Sequence, residues 1–343
     1  MTLLLSRSDT DGLVSMAAAI EAVERAHADV AQGIALQPAP TALSLDSGSE
    51  LFLPMAALAD RQHLAVVKLL ADIPGNAARG LPVQRSVVVL LSQKTGECVA
   101  IIDGQILTRQ RTAAASAVAS RHLARGDSRV LGLIGAGNLA VEHVRALREV
   151  LPIDHVLVWS RTHATIVRFV ERVNRSAPGM EVEALGSPHE VVARSDVICT
   201  LTPARQPVVY GDWFIPGQHV NAVGAPPRPD YREIDGAGMA RADVFVDSLA
   251  TALQKSGDVM LALAEGSITQ AHIQAELGDV IIGASPGRKA PEAITLFNSV
   301  GMAMQDLAVG NLLVERARLA GVGIELDFAE LSVHADPFPV AAK

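Results

Sequence analysis

The sequence predicts an α/β protein in which a mixed sheet precedes a doubly wound parallel sheet. From residue 130 onward, short apolar runs alternate with helical patterns, which is typical of parallel strands joined by crossover helices. Upstream of residue 104, apolar residues alternate along several segments, which indicates a mixed or antiparallel sheet. The 343 residues are 49% hydrophobic and 3% aromatic, so an aliphatic core can fill two domains. We expect one domain over residues 1–120 plus 310–343 and the other over 121–309.

The first half of the chain opens with an amphipathic helix over residues 14–32, where apolar residues recur at helical spacing and stop at Gly33. Period-two patterns predict strands at 42–45, 50–53, 63–70, 86–91 and 98–103. The turn that starts at Lys94 joins the last two. An Ala-rich helix over 112–123 then leads into the second half.

The second half alternates between the two element types. Strands are predicted at 130–134, 155–159, 181–185, 196–201, 219–223 and 243–247, and helices at 138–150, 163–175 and 187–194. A helix near 291–309 follows, and a second helical stretch at 310–320 could return to the first domain.

A glycine turn after the first of these strands predicts a dinucleotide site. The segment Gly135-Ala136-Gly137-Asn138-Leu139 ends an apolar strand and opens a helix. Gly135 permits a tight turn, Gly137 lets the backbone approach a ligand, and Ala140 lets the helix pack closely on the strand. A pyrophosphate would then bind at the positive end of the helix, as in a Rossmann domain. The alternative is a tight strand–helix turn that binds no ligand.

The end of the second strand indicates which dinucleotide. An NAD enzyme usually places Asp or Glu there for the ribose 2′-hydroxyl, but this chain has Ser160, Arg161 and Thr162. The guanidinium of Arg161 and the hydroxyls of Ser160 and Thr162 are suited to bind a 2′-phosphate. The sequence therefore favours NADP(H) over NAD(H).

Composition argues against several classes of partner and location. The net charge of −8 and the absence of a Lys/Arg cluster argue against nucleic acid and anionic membranes. No signal peptide or membrane span is expected, and the two cysteines, Cys98 and Cys199, fit a reducing cytoplasm. The ten histidines show no metal-binding spacing, so no metal site is expected.

Two cations stand where the pattern gives them no easy structural role. Lys68 lies inside an apolar strand, and an unpaired buried ammonium is costly, so it needs an anion. The alternative places Lys68 on the wet face of the strand. Arg111 precedes the 112–123 helix at the domain junction, where clefts form, or else makes an ordinary helix-end ion pair.

The chain as a whole resembles the ornithine cyclodeaminase and mu-crystallin family. The matching segments are residues 53–55, 67–69, 74–76, 80–82, 95–97, 103–104, 107–115, 135–137, 160–162, 195–196 with 200, 221–224, 287–288, 295–301 and 306–307. The resemblance implies a homodimer with a substrate-binding and dimerisation domain, an α+β unit on the mixed sheet, that faces a Rossmann domain across the active site. It also implies small amino acids or their imines as substrates.

The resemblance assigns roles by position. Lys68 matches the family's active-site lysine, and Arg111 matches the arginine that binds the substrate carboxylate. Ser299 and Val300 would border the nicotinamide and the substrate. The residues expected to line the cofactor are Thr200, Asn221, Val223 and Gly224, and Met55 would contribute to the substrate pocket.

Two departures from the family pattern bear on the reaction. Pro40 stands where many members have a second carboxylate-binding arginine, and Pro226 stands where cyclodeaminases have a catalytic aspartate. Asp230 is nearby but displaced, and it is the candidate acid.

These features favour NADPH-dependent reduction of a small 2-imino acid, such as the cyclic ketimine pyrroline-2-carboxylate, or the reverse amino acid dehydrogenation. One alternative is an ornithine cyclodeaminase that forms proline and ammonia, with Asp230 as the acid. Another is a non-catalytic NADPH-dependent binder of small molecules. Each reading keeps Lys68 and Arg111 at the ligand.

Overall fold

Two sheets organise the chain in a computed structural model, which describes residues 1–45 and 49–327. The strands are, in chain order, β1 Thr2–Leu5, β2 Ala35–Leu36, β3 Leu51–Ala59, β4 Leu64–Asp72, β5 Gln84–Ser92, β6 Cys98–Asp103, β7 Val130–Ile134, β8 His155–Trp159, β9 Glu181–Ala184, β10 Val197–Thr200, β11 His219–Ala222, β12 Asp243–Val246, β13 Ile273–Glu276, β14 Thr295–Asn298 and β15 Ile324–Leu326. The helices are α1 Arg7–Thr10, α2 Met16–Ala31, α3 Gly104–Leu123, α4 Asn138–Val150, α5 His163–Ser176, α6 Pro188–Ala193, α7 Gly236–Arg241, α8 Leu249–Lys255, α9 Gly257–Ala264, α10 Leu277–Ile281 and α11 Ala303–Ala320. Short 3₁₀ turns occupy Pro74–Arg79, Gly211–Trp213 and Gln270–His272.

The first sheet is mixed, as the sequence predicts. Its seven strands lie in the order β15-β1-β6-β5-β4-β3-β2, and only the β1–β6 pair is parallel among the described strands. Along β4, alternate residues from Leu64 to Asp72 are buried, and Lys68 is one of them. Helix α11 packs on this inner face, so the two ends of the described chain meet in one core.

The outer face of the same sheet is apolar but uncovered in the single chain. Phe52, Leu58, Val67, Leu69 and Val87 are each between 39% and 46% exposed. Neighbouring strands thus present one continuous aliphatic surface, where an antiparallel sheet facing water would carry polar side chains.

The second sheet confirms the predicted doubly wound architecture. All eight strands are parallel, in the order β13-β12-β14-β11-β10-β7-β8-β9. Strands β8 and β9 follow β7 on one side, whereas the next strand, β10, lies on the other side of β7. The strand order therefore reverses between β7 and β10, and ligands bind at such switch points in open parallel sheets. The glycine turn after β7 therefore lies at the expected place.

Several predicted elements differ from the structure. The helix expected near 291–309 is wrong over Thr295–Asn298, which is the buried strand β14, paired with β11 and β12. Its last residues are helical and form one helix, α11, with the predicted helical stretch at 310–320, which does return to the first sheet. A short, continuously apolar run suits a buried strand as well as a helix. The segment 42–45 contributes a single bridge, between Leu43 and Phe52, instead of a strand.

The Ala-rich helix starts eight residues earlier than predicted. Asp103 caps α3 by accepting a hydrogen bond from the Gln105 N–H, so the helix begins at Gly104. Arg111 consequently lies in the middle of a buried helix and not at its start.

The domain boundaries at 120 and 310 stay predictions, and the part of the first domain beyond residue 327 lies outside the described residues. Within the described ranges, no helix combines the length and apolar character needed to cross a bilayer.

Candidate active site

A cavity of about 290 Å³ lies between the two sheets. It is lined on one side by the first sheet and α3, and on the other by the loops that follow β10, β11 and β14; the lining includes Leu53, Met55, Leu70, Thr108, Arg111, Asn138, Leu139, Val223, Gly224, Pro226, Ser299 and Val300. These loops leave the carboxyl ends of parallel strands, where doubly wound sheets bind their ligands.

Lys68 is fully buried on β4 opposite Met55 and is not itself among the described residues that line this cavity, although Thr108, Arg111 and Met55 around it are. Its Nζ donates to Thr108 Oγ1 at 2.8 Å and to Asp306 Oδ1 at 2.9 Å. The alternative that Lys68 faces water is therefore wrong, and the anion that its burial requires is Asp306 of α11. Burial lowers the pKa of Lys68 to about 8, although Asp306 opposes that shift.

Arg111 shares the same carboxylate. Its Nε lies 3.3 Å from Asp306 Oδ1, and its Nη1 donates to Gln305 Oε1 at 2.9 Å. Two cations thus surround one anion, and Asp306 Oδ2 has no hydrogen-bond partner among the described residues. The excess positive charge suits a substrate carboxylate.

Gln305 in turn contacts His27, whose Nε2 lies 3.1 Å from Gln305 Nε2. Burial lowers the pKa of His27 to about 4, so its neutral ring accepts this hydrogen bond. The amide of Gln305 is thereby fixed with its oxygen toward Arg111.

The loop after β14 is shaped around Arg111. Gly301 has a φ of +87°, and a Cβ at that position would lie 2.5 Å from Arg111 Nη1. Asp247 accepts hydrogen bonds from Ser299 Oγ at 3.1 Å and from Gly301 N at 2.6 Å. Asp247 therefore holds the 299–301 segment against the guanidinium.

A buried carboxylate, Glu233, orders the two loops that follow β10 and β11. Its Oε1 accepts from Thr202 N and Thr202 Oγ1 at 2.6 and 2.7 Å. Its Oε2 accepts from Thr200 Oγ1 and Gly224 N at 2.8 and 2.7 Å. Thr200 thus binds Glu233 behind the cavity wall, and Gly224 is fixed in the wall itself.

A second cavity, of about 280 Å³, adjoins the first through Leu201 and contains the glycine turn. Its lining includes Gly135, Ala136, Gly137, Trp159, Ser160, Arg161 and Leu201. Together the two cavities form an elongated groove across the switch point of the sheet.

The groove fits a nicotinamide dinucleotide. Gly135 has a φ of +115°, and a Cβ there would lie 2.8 Å from Leu201 O. Gly137 is the N-cap of α4 and has no side chain to cap it, while a Cβ at Gly137 would meet no atom within 4 Å. The first N–H groups of α4 therefore border open space in which a diphosphate fits.

Some predicted residues lie elsewhere. Thr162 is exposed at the start of α5 and is not among the described lining residues of either cavity. Asn221 is fully buried and donates to Ser120 Oγ at 3.0 Å, behind the wall. The side chain of Asp230 is 61% exposed, 3.9 Å from Arg205, and is not among the described residues that line the first cavity.

Several residues of the site escaped the sequence analysis. Asp306, Thr108, Asp247 and Glu233 make the hydrogen bonds given above, and Leu53 and Leu70 line the cavity. The buried lysine signalled that an acid was needed, but not which of 37 acidic residues supplied it. Among the described residues, no group of three potential metal ligands forms a metal site.

Comparison with known proteins decides the family. The profile described as the ornithine cyclodeaminase/mu-crystallin family matches residues 1–320. The chain belongs to this family. The ketimine reductase mu-crystallin of Mus musculus is 35% identical over 308 residues, covering 89% of this chain and 94% of its own. This result confirms the predicted family and the assignment to its NAD(P)-dependent oxidoreductases.

Solved structures of family members have the same fold. The Δ1-pyrroline-2-carboxylate reductase of Thermococcus litoralis, in complex with NADH and L-proline, has a TM-score of 0.91 and 36% identity, covering 95% of this chain and all of that one. An archaeal alanine dehydrogenase, a dimer with bound NAD, has a TM-score of 0.89 and 33% identity, covering 95% and 99%. The predicted fold class is confirmed.

Proposed function

We propose that this family member reduces the C=N bond of a small 2-imino acid with NADPH, or catalyses the reverse amino acid dehydrogenation. The observation that carries the proposal is the position of Arg111 in a cavity of about 290 Å³, beside buried Lys68 and next to the glycine-turn groove. A carboxylate anchor, a proton donor and a dinucleotide groove are what this reduction requires.

The residues of the cavity have separate tasks. Arg111 pairs with the substrate carboxylate and so fixes the C=N carbon in front of Ser299 and Val300. A nicotinamide cofactor bound in the groove supplies the hydride to that carbon. Lys68 Nζ supplies the proton that the substrate nitrogen gains, and Asp306 and Thr108 hold the ammonium in place.

Relatives support this reaction class. The T. litoralis structure holds NADH and L-proline, the product of pyrroline-2-carboxylate reduction, and the mouse relative is a ketimine reductase. Cyclodeamination has less support here, because Pro226 lines the cavity where cyclodeaminases place an acid and Asp230 points into solvent.

The preference for NADP(H) is a separate proposal. It rests on Ser160 and Arg161, which line the adenosine side of the groove beside Trp159. A guanidinium there pairs with a 2′-phosphate, whereas the two structures compared above hold NADH and NAD.

We also propose that the protein is a homodimer in the cytoplasm. The apolar outer face of the first sheet, around Val67 and Leu58, is the surface that a second copy would cover. The archaeal alanine dehydrogenase relative is a dimer. Both cysteines are free thiols in the structure, which suits a reducing compartment.

The proposal is tested by mixing the protein with NADPH and pyrroline-2-carboxylate or piperideine-2-carboxylate and following NADPH absorbance. We expect NADPH loss that matches amino acid formation. Proline and ammonia formed from ornithine with catalytic NAD would instead establish a cyclodeaminase. NADPH and ketimine binding without turnover would establish a non-catalytic binder.

A further inference from the structure

The loop of residues 224–229 reaches from the second sheet to the first. It follows β11, yet its Arg228 Nε donates to Asp72 Oδ2 at 2.6 Å, at the end of β4. Arg228 Nη2 also donates to the backbone carbonyls of Asp72 and Ser49, at 3.2 and 2.7 Å. The loop is therefore tied by two hydrogen bonds to β4, the strand that carries Lys68, and by one to the segment before β3.

The ion pair of Arg228 and Asp72 is largely buried. The Asp72 side chain is 3% exposed and that of Arg228 is 14% exposed. Removing one member of a buried pair leaves the other charge uncompensated, so the pair fixes the geometry of the loop. Asp72 also neutralises the guanidinium of Arg228, so this cation is not available to bind a charged ligand.

The tied loop forms one wall of the cavity that Arg111 lines. Pro226 and Pro227 line it, together with Leu53, Met55 and Leu70 of the first sheet. Leu70 and Asp72 both lie on the buried face of β4, so the ion pair and this apolar wall are adjacent. No carboxylate is among the described residues that line the cavity.

The cations of the cavity are on its other sides. Arg111 lies at the Asp306 side and is assigned to the substrate carboxylate. Arg109 donates from Nε to Gln105 O at 3.3 Å and also lines a neighbouring cavity with Glu142, so it lies on the Asn138 side. On the side of the loop, the uncharged amide of Gln84 is the polar side chain among the described lining residues, so this wall offers no opposite charge to a second charge on the substrate.

We infer that the 224–229 loop, fixed by the Arg228–Asp72 ion pair, selects monocarboxylic substrates with an uncharged side chain. At this wall a side-chain ammonium would meet apolar carbon and no carboxylate, and a second carboxylate would lose its hydration against proline and leucine. This inference rests on the proposed function, since it names the substrate class of the same site. Asp72 and Arg228 are positioning residues, because they act through the loop.

The first test uses the wild-type protein and three amino acids of different side-chain charge: L-proline, L-aspartate and L-ornithine. With oxidised cofactor present, we expect L-proline to bind at least about 100-fold more tightly than the other two, and oxidation rates to follow the same order. Equal or tighter binding of L-aspartate or L-ornithine overturns the inference, even if imine reduction is observed. Selective proline binding without any turnover contradicts the proposed function and leaves the selectivity in place.

The second test uses Asp72→Asn, with Asp60→Asn as the exposed control near the end of β3. We expect Asp72→Asn to reduce kcat/KM for the ketimine by about 10-fold to 100-fold through KM, with kcat and cofactor affinity nearly unchanged. Asp72→Glu should restore part of the loss. An unchanged KM in folded Asp72→Asn protein contradicts the role of the ion pair. A parallel loss of kcat and cofactor affinity would show a general structural role and contradict it as well.

Discussion

Lys68 Nζ lies 2.9 Å from Asp306 Oδ1, although 238 positions separate the two residues. One belongs to β4, an interior strand of the first sheet, and the other to the first turn of α11. Arg111 Nε approaches the same oxygen at 3.3 Å. This arrangement places an ammonium and a guanidinium on one shared carboxylate at the edge of the cavity.

Replacing Lys68 tests its role in proton transfer. Because a positioned acid contributes about 10²-fold to 10⁴-fold to rate, we expect Lys68→Ala to lose turnover by that factor while cofactor affinity is retained. Lys68→Met, which keeps most of the side-chain volume, separates this effect from packing. Lys94→Ala, in the exposed β5–β6 turn, is the control. Wild-type turnover in the Lys68 variants would remove the residue from the mechanism.

The pH profile tests the state of the same ammonium. Burial lowers the pKa of Lys68 to about 8, so the proton donor is lost as pH rises through that value. We expect kcat/KM for reduction to be level below about pH 8 and to fall above it. Asp306 raises the pKa of Lys68, so Asp306→Asn should move the alkaline limb to lower pH. A limb that does not move in Asp306→Asn argues that another group titrates.

Arg161→Asp tests cofactor preference. The substitution removes the partner of a 2′-phosphate and supplies an acceptor for a 2′-hydroxyl. A charge-assisted contact is equivalent to about 1.5–3 kcal/mol, so the ratio of kcat/KM for NADPH to that for NADH should fall by about 10-fold to 100-fold. Arg168→Asp, an exposed position on α5, should leave the ratio unchanged. If both variants leave it unchanged, the end of β8 does not set the preference.

Two exposed valines provide a matched test of the dimer surface. Val67 on the outer face of the first sheet is 41% exposed, and Val167 on α5 is 44% exposed. A buried, unpaired guanidinium disfavours association, so Val67→Arg should shift the protein toward monomers in sedimentation velocity. Val167→Arg should sediment as wild type. Dimers that persist in Val67→Arg would place the interface elsewhere.

The sequence predicts most of the second sheet because its strands and helices carry distinct periodicities. The exceptions are Ile273–Glu276, which was not predicted, and Thr295–Asn298, which was predicted as helix. The four residues of Thr295–Asn298 are all buried, and a fully buried strand shows no alternation from which to distinguish it from a helix. In the first sheet, β3 runs through Pro54 and reaches Ala59, beyond the strand predicted at 50–53.

The sequence was enough to identify the cations and the glycines of the site, because a charged residue in an apolar strand and a glycine pair between a strand and a helix are both unusual. Lys68 in an apolar strand required an anion by local reasoning alone. Asp306 could not be identified in advance, because its position depends on how α11 returns to pack on β4. The Arg228–Asp72 pair likewise joins elements whose contact is decided by the tertiary fold.

Isotope transfer tests the central claim most directly. Pyrroline-2-carboxylate is reduced by the wild-type protein with NADPH that carries deuterium at C4 of the nicotinamide, and the product is examined by mass spectrometry and NMR. Because the imine carbon receives the hydride, the account predicts L-proline with one deuterium at Cα, formed about 10²-fold to 10⁴-fold more slowly by Lys68→Met. Absence of deuterated proline from the wild-type protein, with bound cofactor and ketimine both demonstrated, would contradict it.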